Sequence, residues 1–412
     1  MSENKRPLGT LSLLLLGING IVGVGIFFTP SQLAAQAPGW ASLAVIVVTA
    51  LALVPIAAAV SILGSRFDED GGPVLYARLA FGEAAGFVIG WLAYVASLFS
   101  MGTVMYGFMQ AVIPARFGDW TVRAAALALL SVLSIVASRG VKVSARVWNT
   151  LTVLKLIPLL GLAALATVLS PKVESPATGP IDWPRAMLKA TFVFQGFEIV
   201  PVFAGQAQST RKAIPIAVMG SLGVATVLYV LLQRGAVLGV ANLGDSHAPL
   251  VDTAAAYGGS TFATTVAIGT SVSALGIAFG MVATTPRFLS ALAPSSPFGK
   301  LSGGGVPLLS LWTTWGVVAV LVLFGSVGEL LTLSSLSVVT QYLLIAFALA
   351  KFGFKRQRDL GPWHVAFAIP PTIASLILLR GAEGREWLVA GASVLVGAIL
   401  YVAFVRGRTA KA

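Results

Sequence analysis

The chain contains no cysteine, and charged side chains occupy only 10% of its 412 positions. The missing cysteine excludes disulfides and thiol chemistry, although it indicates no cellular compartment by itself. The scarcity of charge, together with 57% hydrophobic residues, lies far outside the composition of a soluble domain. The sequence therefore predicts an integral membrane protein.

Charge is absent from several whole stretches, each long enough for at least one membrane span of about 20 residues. No Asp, Glu, Lys or Arg occurs within residues 7–65, 84–115, 213–233, 253–286 or 301–328. The first apolar segment runs into a second one without a small-residue cleavage site. We therefore expect it to be retained rather than removed as a signal peptide.

Charged and Pro/Gly-rich stretches divide the chain into twelve predicted membrane helices. The predicted spans are 11–36, 39–64, 82–113, 122–138, 146–169, 186–206, 213–239, 262–290, 308–325, 328–351, 361–380 and 386–405. This pattern predicts an all-α integral membrane fold with one transmembrane domain over residues 1–412. An even number of spans places both termini on the same side.

The distribution of Lys and Arg predicts which side that is, because cytoplasmic loops carry an excess of basic residues. With the N-terminus inside, eighteen of the 27 basic residues fall in cytoplasmic segments and six in outer ones. Both termini are therefore predicted to be cytoplasmic, in an inner or plasma membrane. The net charge of +12 has the same cause, together with anionic inner-leaflet lipid, so we do not expect nucleic-acid binding.

The first predicted span is interrupted by Gly20, Gly23 and Gly25. Each glycine lowers helix propensity by roughly 1 kcal/mol relative to alanine, so local unwinding costs little there. Unwound amides followed by a helix start favour a carboxylate at residues 23–25, and the preceding carbonyl of Ile21 suits an ammonium group. The alternative is close packing of helices through small residues.

The sixth predicted span is interrupted in the same way, by Gln195 and Gly196, with Glu198 just beyond. A carboxylate within the membrane is costly, so Glu198 is a candidate for proton exchange or gating. The alternative is a structural role, as a hydrogen-bonding partner for the broken backbone. Phe192 and Phe194 flank the break as a possible apolar or cation-π wall.

Three basic residues remain within predicted spans. Lys155 is a candidate for taking up and releasing a proton, with a snorkelling or structural lysine as the alternative. Arg234 and Lys189 are expected to snorkel or to pair with outer acids. Polar side chains on the eighth and tenth spans could line a pathway or bond their own helix; they are Ser271, Ser273, Ser334, Ser335 and Ser337.

Four short motifs are spread along the chain. The first span carries the pattern Gly-x-Gly-Ile-Phe at residues 23–27, and the loop before the third span contains Asp-Gly-Gly-Pro at 70–73. Residues 196–198 read Gly-Phe-Glu, and 211–215 read Arg-Lys-Ala-Ile-Pro. Together these motifs resemble those of the amino acid-polyamine-organocation (APC) transporters, and the resemblance extends over essentially the whole chain.

This resemblance implies a leucine-transporter-type fold, with inverted five-helix repeats at 11–169 and 186–351 and two extra helices within 361–405. Helices one and six would be unwound around an amino acid. Its carboxylate would rest on amides of the first break and its amine on carbonyls of both breaks. Carried over, the substrate-binding residues are Ile21, Gly23, Val24, Gly25, Ile26, Phe192, Phe194, Gln195 and Gly196.

Lys155 matches a lysine that, in many members, places its ammonium where sodium-coupled relatives bind sodium. The resemblance therefore implies proton symport or substrate exchange. Two departures stand out: Val24 replaces a Ser or Thr of some members, and Gln206 replaces a glutamate of many. The first removes a hydroxyl from the carboxylate site.

We thus expect a permease for amino acids, with neutral ones favoured because Glu198 is the one acidic residue predicted at mid-membrane. The alternatives are a polyamine or cationic amino acid exchanger, and a non-transporting sensor or partner subunit. No enzyme activity, cofactor or metal is expected. The expected partners are a small-molecule substrate, membrane lipid and, where transport is coupled to protons, protons; the oligomeric state is left open.

The predicted orientation can be tested directly, because the chain contains no native cysteine. A single cysteine replacing Arg116 should react with a membrane-impermeant maleimide in intact cells, and one replacing Lys300 should react only after permeabilisation. The reverse pattern would contradict the orientation, and labelling of both positions in intact cells would contradict the span count between them.

Overall fold

The computed structural model describes the backbone of residues 8–140, 145–169, 173 and 177–406, and their side chains except at 24, 115, 145–155 and 404–406. Every regular element in this part of the chain is a helix. A single isolated bridge pairs Leu8 with Ala207. The predicted all-helical fold is confirmed for the described residues.

The α-helices define the architecture. In chain order they are α1 (Thr10–Ile21), α2 (Thr29–Ala34), α3 (Trp40–Gly64), α4 (Gly72–Phe81), α5 (Glu83–Val112), α6 (Asp119–Ser138), α7 (Ala145–Val168), α8 (Trp183–Phe194), α9 (Thr210–Gly239), α10 (Pro249–Leu292), α11 (Leu308–Phe324), α12 (Val327–Phe354), α13 (Pro362–Phe367), α14 (Ile369–Leu379) and α15 (Gly384–Leu400). Shorter 3₁₀ segments lie between them at Val24–Phe27, Ala115–Phe117, Phe197–Gln206, Leu243–Asp245 and Pro297–Gly299, and a π-helical turn follows at Tyr401–Arg406.

Among the described residues, nine helical segments are long and apolar enough to cross a membrane. Three shorter apolar helices accompany them, at Thr10–Ile21, Leu156–Val168 and Leu308–Phe324. Each of the twelve overlaps one predicted span. The chain is therefore a multi-pass membrane protein, while the count of twelve crossings stays a prediction because three of these helices are short.

The eighth predicted span, 262–290, lies within α10. Helix α10 extends from Pro249 to Leu292 and is divided by a kink at Gly259, where φ is 70° and ψ is −171°. The stretch after the kink corresponds to the predicted span, whereas the helical stretch before the kink was not predicted. Glycine adopts a positive φ without a Cβ penalty, so the chain can bend there.

Two helices form the centre of the packing. Helix α12 packs against α5, α8, α13 and α14, and α9 packs against α1, α3 and α7. Both central helices therefore contact an interrupted segment, because α1 precedes the first break and α8 precedes the second. The α15 helix attaches at the periphery, where the indole of Trp91 on α5 donates a hydrogen bond to the carbonyl of Ser393 at 2.7 Å.

The segment Phe197–Gln206 is held at its far end by backbone hydrogen bonds. The amide of Leu8 donates to the carbonyl of Gln206 at 3.0 Å, and the amide of Gln208 donates to the carbonyl of Leu8 at 2.9 Å. On another side, the Asp70 carboxylate accepts from the amide of Gly205 at 3.0 Å. The bonds of Leu8 join the residue just before α1 to the end of this segment, and the Asp70 bond joins the loop before α4 to it.

Candidate functional site

The first helix is interrupted where the sequence predicts it. Helix α1 ends at Ile21, and Val22 and Gly23 leave helical geometry before the 3₁₀ turn Val24–Phe27. The amide of Gly23 donates to the carbonyl of Ile21 at 2.7 Å, which closes a tight turn. The glycines make this path inexpensive because they carry no Cβ.

The second interruption also falls where the sequence predicts it. Helix α8 ends at Phe194, Gln195 is extended, and Gly196 has a φ of 129° that favours glycine. The 3₁₀ segment Phe197–Gln206 then continues the chain. The Glu198 carboxylate folds back and accepts a hydrogen bond from the amide of Gly196 at 2.9 Å.

The two interruptions touch through their backbones at Gly20 and Gly196. A Cβ added at Gly196 would lie 2.3 Å from the carbonyl carbon of Gly20 and 2.6 Å from the amide nitrogen of Ile21. A Cβ added at Gly20 would lie 3.1 Å from the carbonyl oxygen of Gly196. Only glycine at position 196 permits this approach.

Tyr229 on α9 joins the same two segments, and sequence reasoning missed it. Its hydroxyl lies 2.9 Å from the carbonyl oxygen of Ile21 and 3.0 Å from that of Val193, so its single proton is shared between the carbonyls of the two segments. The residue is fully buried, and its ring meets Phe194 edge-on with centroids 5.3 Å apart. A single tyrosine in an apolar run gave no signal of this role.

A polar cluster extends from the second break to α12 and α5. The Gln195 amide donates to Ser335 at 3.4 Å and accepts from Ser334 at 3.2 Å, and Ser334 lies 2.8 Å from the hydroxyl of Ser100. Ser334 and Ser335 thus contact Gln195 at the second break, and their place along a pathway stays a prediction. Ser100 was not singled out from the sequence.

The other candidate polar residues bond elsewhere. Ser271 and Ser337 donate to carbonyls one turn back in their own helices, as the structural alternative predicts. The buried hydroxyl of Ser273 has no hydrogen-bond partner among the described residues. Arg234 donates to the carbonyl of Ala166 at 2.9 Å.

Glu198 has the structural role that the sequence analysis gave as the alternative to proton exchange or gating. Besides the Gly196 amide, its Oε2 accepts a hydrogen bond from the hydroxyl of Tyr342 at 3.0 Å. The ring of Tyr342 stacks on Phe197 with centroids 5.4 Å apart. The carboxylate thus ties the second break to α12, and its use in proton exchange stays a prediction.

The two phenylalanines of α8 serve different purposes. Phe192 covers the first break, because a Cβ at Gly25 would lie 2.8 Å from its ring, and it faces Phe28 at a centroid distance of 6.2 Å. Phe194 instead packs against Tyr229. Ile26 is buried in the core. Of the predicted aromatic wall, only Phe192 faces the first break.

Two predicted site side chains, those of Val24 and Lys155, lie outside the described residues. The backbone of Val24 starts the 3₁₀ turn Val24–Phe27, and that of Lys155 lies within α7. The roles expected for these side chains stay predictions.

In this conformation the first break is closely packed. A cavity beside Phe27 and Phe28 has a volume of about 20 Å³, which holds about one water molecule and is far too small for an amino acid. A larger cavity of about 520 Å³ is lined by polar residues that include Arg66, Arg211 and Asp359. An amino acid can therefore bind beside Phe28 only after a local rearrangement.

Sequence comparison identifies the class of protein that this geometry belongs to. The model of the amino acid permease family matches residues 8–409. The chain therefore belongs to the amino acid permease family, and the relatives described below are transporters and not enzymes. The predicted resemblance is confirmed.

Three relatives illustrate the range within the class. The glutamate/serine transporter AimA of Bacillus subtilis (strain 168) is 30% identical over 77% of this chain and 68% of its own length. A putative arginine/ornithine antiporter of Escherichia coli (strain K12) is 28% identical over 97% and 92%. The mouse cationic amino acid transporter 4 is 24% identical over 85% of this chain, and the matched region covers only 60% of the mouse protein.

The contact between the breaks predicts a sharp difference between two glycines. Gly196→Ala should lower the stability of the purified protein by about 3 kcal/mol or more, because the new methyl group meets backbone and the φ is strained. Gly223→Ala is the matched control, since a Cβ there meets nothing within 4 Å in helix α9.

Thermal unfolding in detergent measures both variants. The melting temperature should fall clearly for Gly196→Ala and stay level or rise slightly for Gly223→Ala, since alanine favours a helix. Equal melting temperatures for the two variants would contradict the backbone contact.

Proposed function

We propose that this protein is a secondary transporter that moves amino acids across the cell membrane by alternating access, and that neutral amino acids are favoured. The observation that carries the proposal is the contact of two interrupted helices at Gly20 and Gly196. Backbone groups freed from helical bonding inside a membrane need polar partners, and a zwitterionic amino acid supplies both kinds.

The carboxylate of the substrate is assigned to the first break. In this conformation the Gly23 amide already donates to Ile21, whereas residues 24 and 25 begin a helical turn and their amides have no intrahelical acceptor. Phe192 covers Gly25 and must withdraw before a ligand reaches it. We therefore assign the carboxylate mainly to the amides of Val24 and Gly25.

The amine is assigned to carbonyls at the two breaks. The carbonyl of Ile21 accepts from Tyr229 and from the Gly23 amide, which uses both of its lone pairs. An ammonium group at Ile21 must therefore displace the tyrosine hydroxyl. The carbonyls of Phe194 and Gln195, where α8 ends, are the other proposed acceptors.

Neutral side chains are favoured because Glu198 is the one acidic residue predicted at mid-membrane. Its Oε2 already accepts hydrogen bonds from Gly196 and Tyr342, which gives this carboxylate a structural role at the second break. The alternative, a cationic amino acid or polyamine exchanger, draws support from the names of two relatives, which include arginine, ornithine and cationic amino acids. Another relative's name includes glutamate and serine, so the family does not decide the question.

The remaining expectations belong to the same proposal. The repeats are residues 11–169 and 186–351, with Gly23 and Gly196 in corresponding positions, and 361–405 adds two helices. Coupling is by proton symport or substrate exchange, with Lys155 and Glu198 in gating or coupling roles. Both termini are cytoplasmic.

Uptake by purified protein in liposomes tests the proposal. Radiolabelled L-serine, L-alanine, L-glutamate, L-arginine and L-ornithine are supplied with and without the same amino acid inside, and unlabelled amino acids and putrescine serve as competitors. We expect counterflow of a neutral amino acid. A preference for arginine, ornithine or putrescine would support the alternative, and counterflow of none of them would contradict the transporter proposal.

A proton gradient in the same liposomes tests coupling. We expect an inward gradient to accelerate uptake and Lys155→Ala to abolish this acceleration. Lys300→Ala is the control for loss of a positive charge, because Lys300 lies exposed in a loop. An unchanged gradient response in Lys155→Ala would remove Lys155 from the coupling mechanism.

A further inference from the structure

Lys189 on α8 is buried in a way that the sequence did not predict. Only 7% of the residue is exposed, and no carboxylate among the described residues lies within 4 Å of its ammonium group. The expected close ion pair with an acid therefore does not form among the described residues, and snorkelling stays a prediction. An unpaired buried charge costs several kcal/mol.

The acids that attract Lys189, which are Glu386, Glu383 and Asp182, lie beyond 4 Å from it and bond to Arg185 instead. Glu386 and Glu383 lie 2.5 and 3.6 Å from Arg185, which precedes Lys189 by one turn of the same helix. Glu329 lies 2.9 Å from Arg385. Like charges four residues apart on a helix repel each other, so Arg185 adds to the cost of the Lys189 charge.

The ammonium group faces the beginning of α12. The Nζ of Lys189 and the Oε1 of Gln32 lie 3.6 and 2.9 Å from the point that a Cβ of Gly328 would occupy. Helix α12 is 28 residues long, so the positive end of its dipole also points here. The charge of Lys189 and the positive helix end thus meet at a half-buried glycine, while the carboxylate of Glu329 in the same first turn is paired with Arg385.

Two donors at this helix start are free of intrahelical bonds. The Ser326–Glu329 capping box satisfies the amides of those two residues. The amides of Val327 and Gly328 lie in the first turn, where no intrahelical acceptor exists. Together with Lys189 they form a set of donors that suits an oxygen anion.

The position is next to the proposed path of the substrate. Phe192 and Val193, which cover Gly25, follow Lys189 by about one helical turn on the same face of α8. Gln32 belongs to α2, which follows the first break. Lys189 therefore lies one layer beyond the Phe28–Phe192 ring pair, away from the Gln195 cluster.

We propose that Lys189 and the first-turn amides of α12 form a binding site for a carboxylate group of the transported amino acid. This inference rests on the proposed function and deepens it. The carboxylate comes either from the α-carboxylate of any entering amino acid, which makes the site an entry station, or from an acidic side chain, which makes it a specificity site.

Binding measured by thermal shift on purified protein separates these sources. The twenty standard L-amino acids are titrated against wild type, Lys189→Met, Lys189→Arg, Gly328→Ala and the outer control Arg116→Gln. Lys189→Met and Gly328→Ala should weaken binding by about tenfold or more, the effect of losing a charge-assisted hydrogen bond, while Lys189→Arg and Arg116→Gln bind almost normally.

The pattern of losses identifies the source of the carboxylate. Loss for every amino acid that binds wild type assigns the site to the α-carboxylate, and loss confined to L-glutamate and L-aspartate assigns it to the side chain. Without ligand, Lys189→Met should melt at a higher temperature than wild type, because it removes an unpaired buried charge.

Two results would overturn the inference. One is unchanged affinity of Lys189→Met for every amino acid that binds wild type. The other is equal loss in Lys189→Met and Lys189→Arg, which would indicate a role in packing. If no amino acid binds wild type, the proposed function itself fails, and this outcome is distinct because it precedes any comparison of variants.

Discussion

The close approach of Gly20 and Gly196 is the constraint on which the rest of the site depends. It brings the ends of α1 and α8 into backbone contact, so that the carbonyls of Ile21 and Val193 fall within reach of one hydroxyl, that of Tyr229. The φ of 129° at Gly196 also turns its amide toward the Glu198 carboxylate, which Tyr342 then holds on α12. A side chain at residue 196 would separate the two breaks. The hydrogen bonds that Tyr229 and Tyr342 make there depend on this contact.

Much of this arrangement could be predicted from the sequence, because breaks leave local signals. Three glycines in the first span and Gln-Gly in the sixth mark both interruptions, and long charge-free runs mark the spans. What the sequence could not supply is contact between distant segments. Tyr229 and Ser100 are single residues in apolar helices, and only the fold shows that Tyr229 meets two carbonyls and that Ser100 meets Ser334. The helical stretch of α10 before Gly259 was also not predicted, and the glycine lets the chain bend between that stretch and the predicted eighth span.

The polar groups occur in layers along α8. The Gln195 cluster lies at the break, the Phe28–Phe192 ring pair lies next to it, and Lys189 with Gln32 and Gly328 lies beyond. Charge is expensive in every layer, and the structure pairs most of it: Glu198 has two donors and Arg185 has two acids. Lys189 is the exception among these groups, which is why it points to a ligand. A site built from backbone groups and one unpaired cation suits a molecule that brings its own carboxylate and amine.

The most direct test of the account is a cryo-EM map of the protein with a saturating amino acid that it transports. The account predicts ligand density between the amides of residues 24–25 and the carbonyls at the end of α8, with Phe192 displaced and the backbones of Gly20 and Gly196 still in contact. Ligand density elsewhere, with Phe192 still covering Gly25 and both breaks packed as they are here, would contradict it.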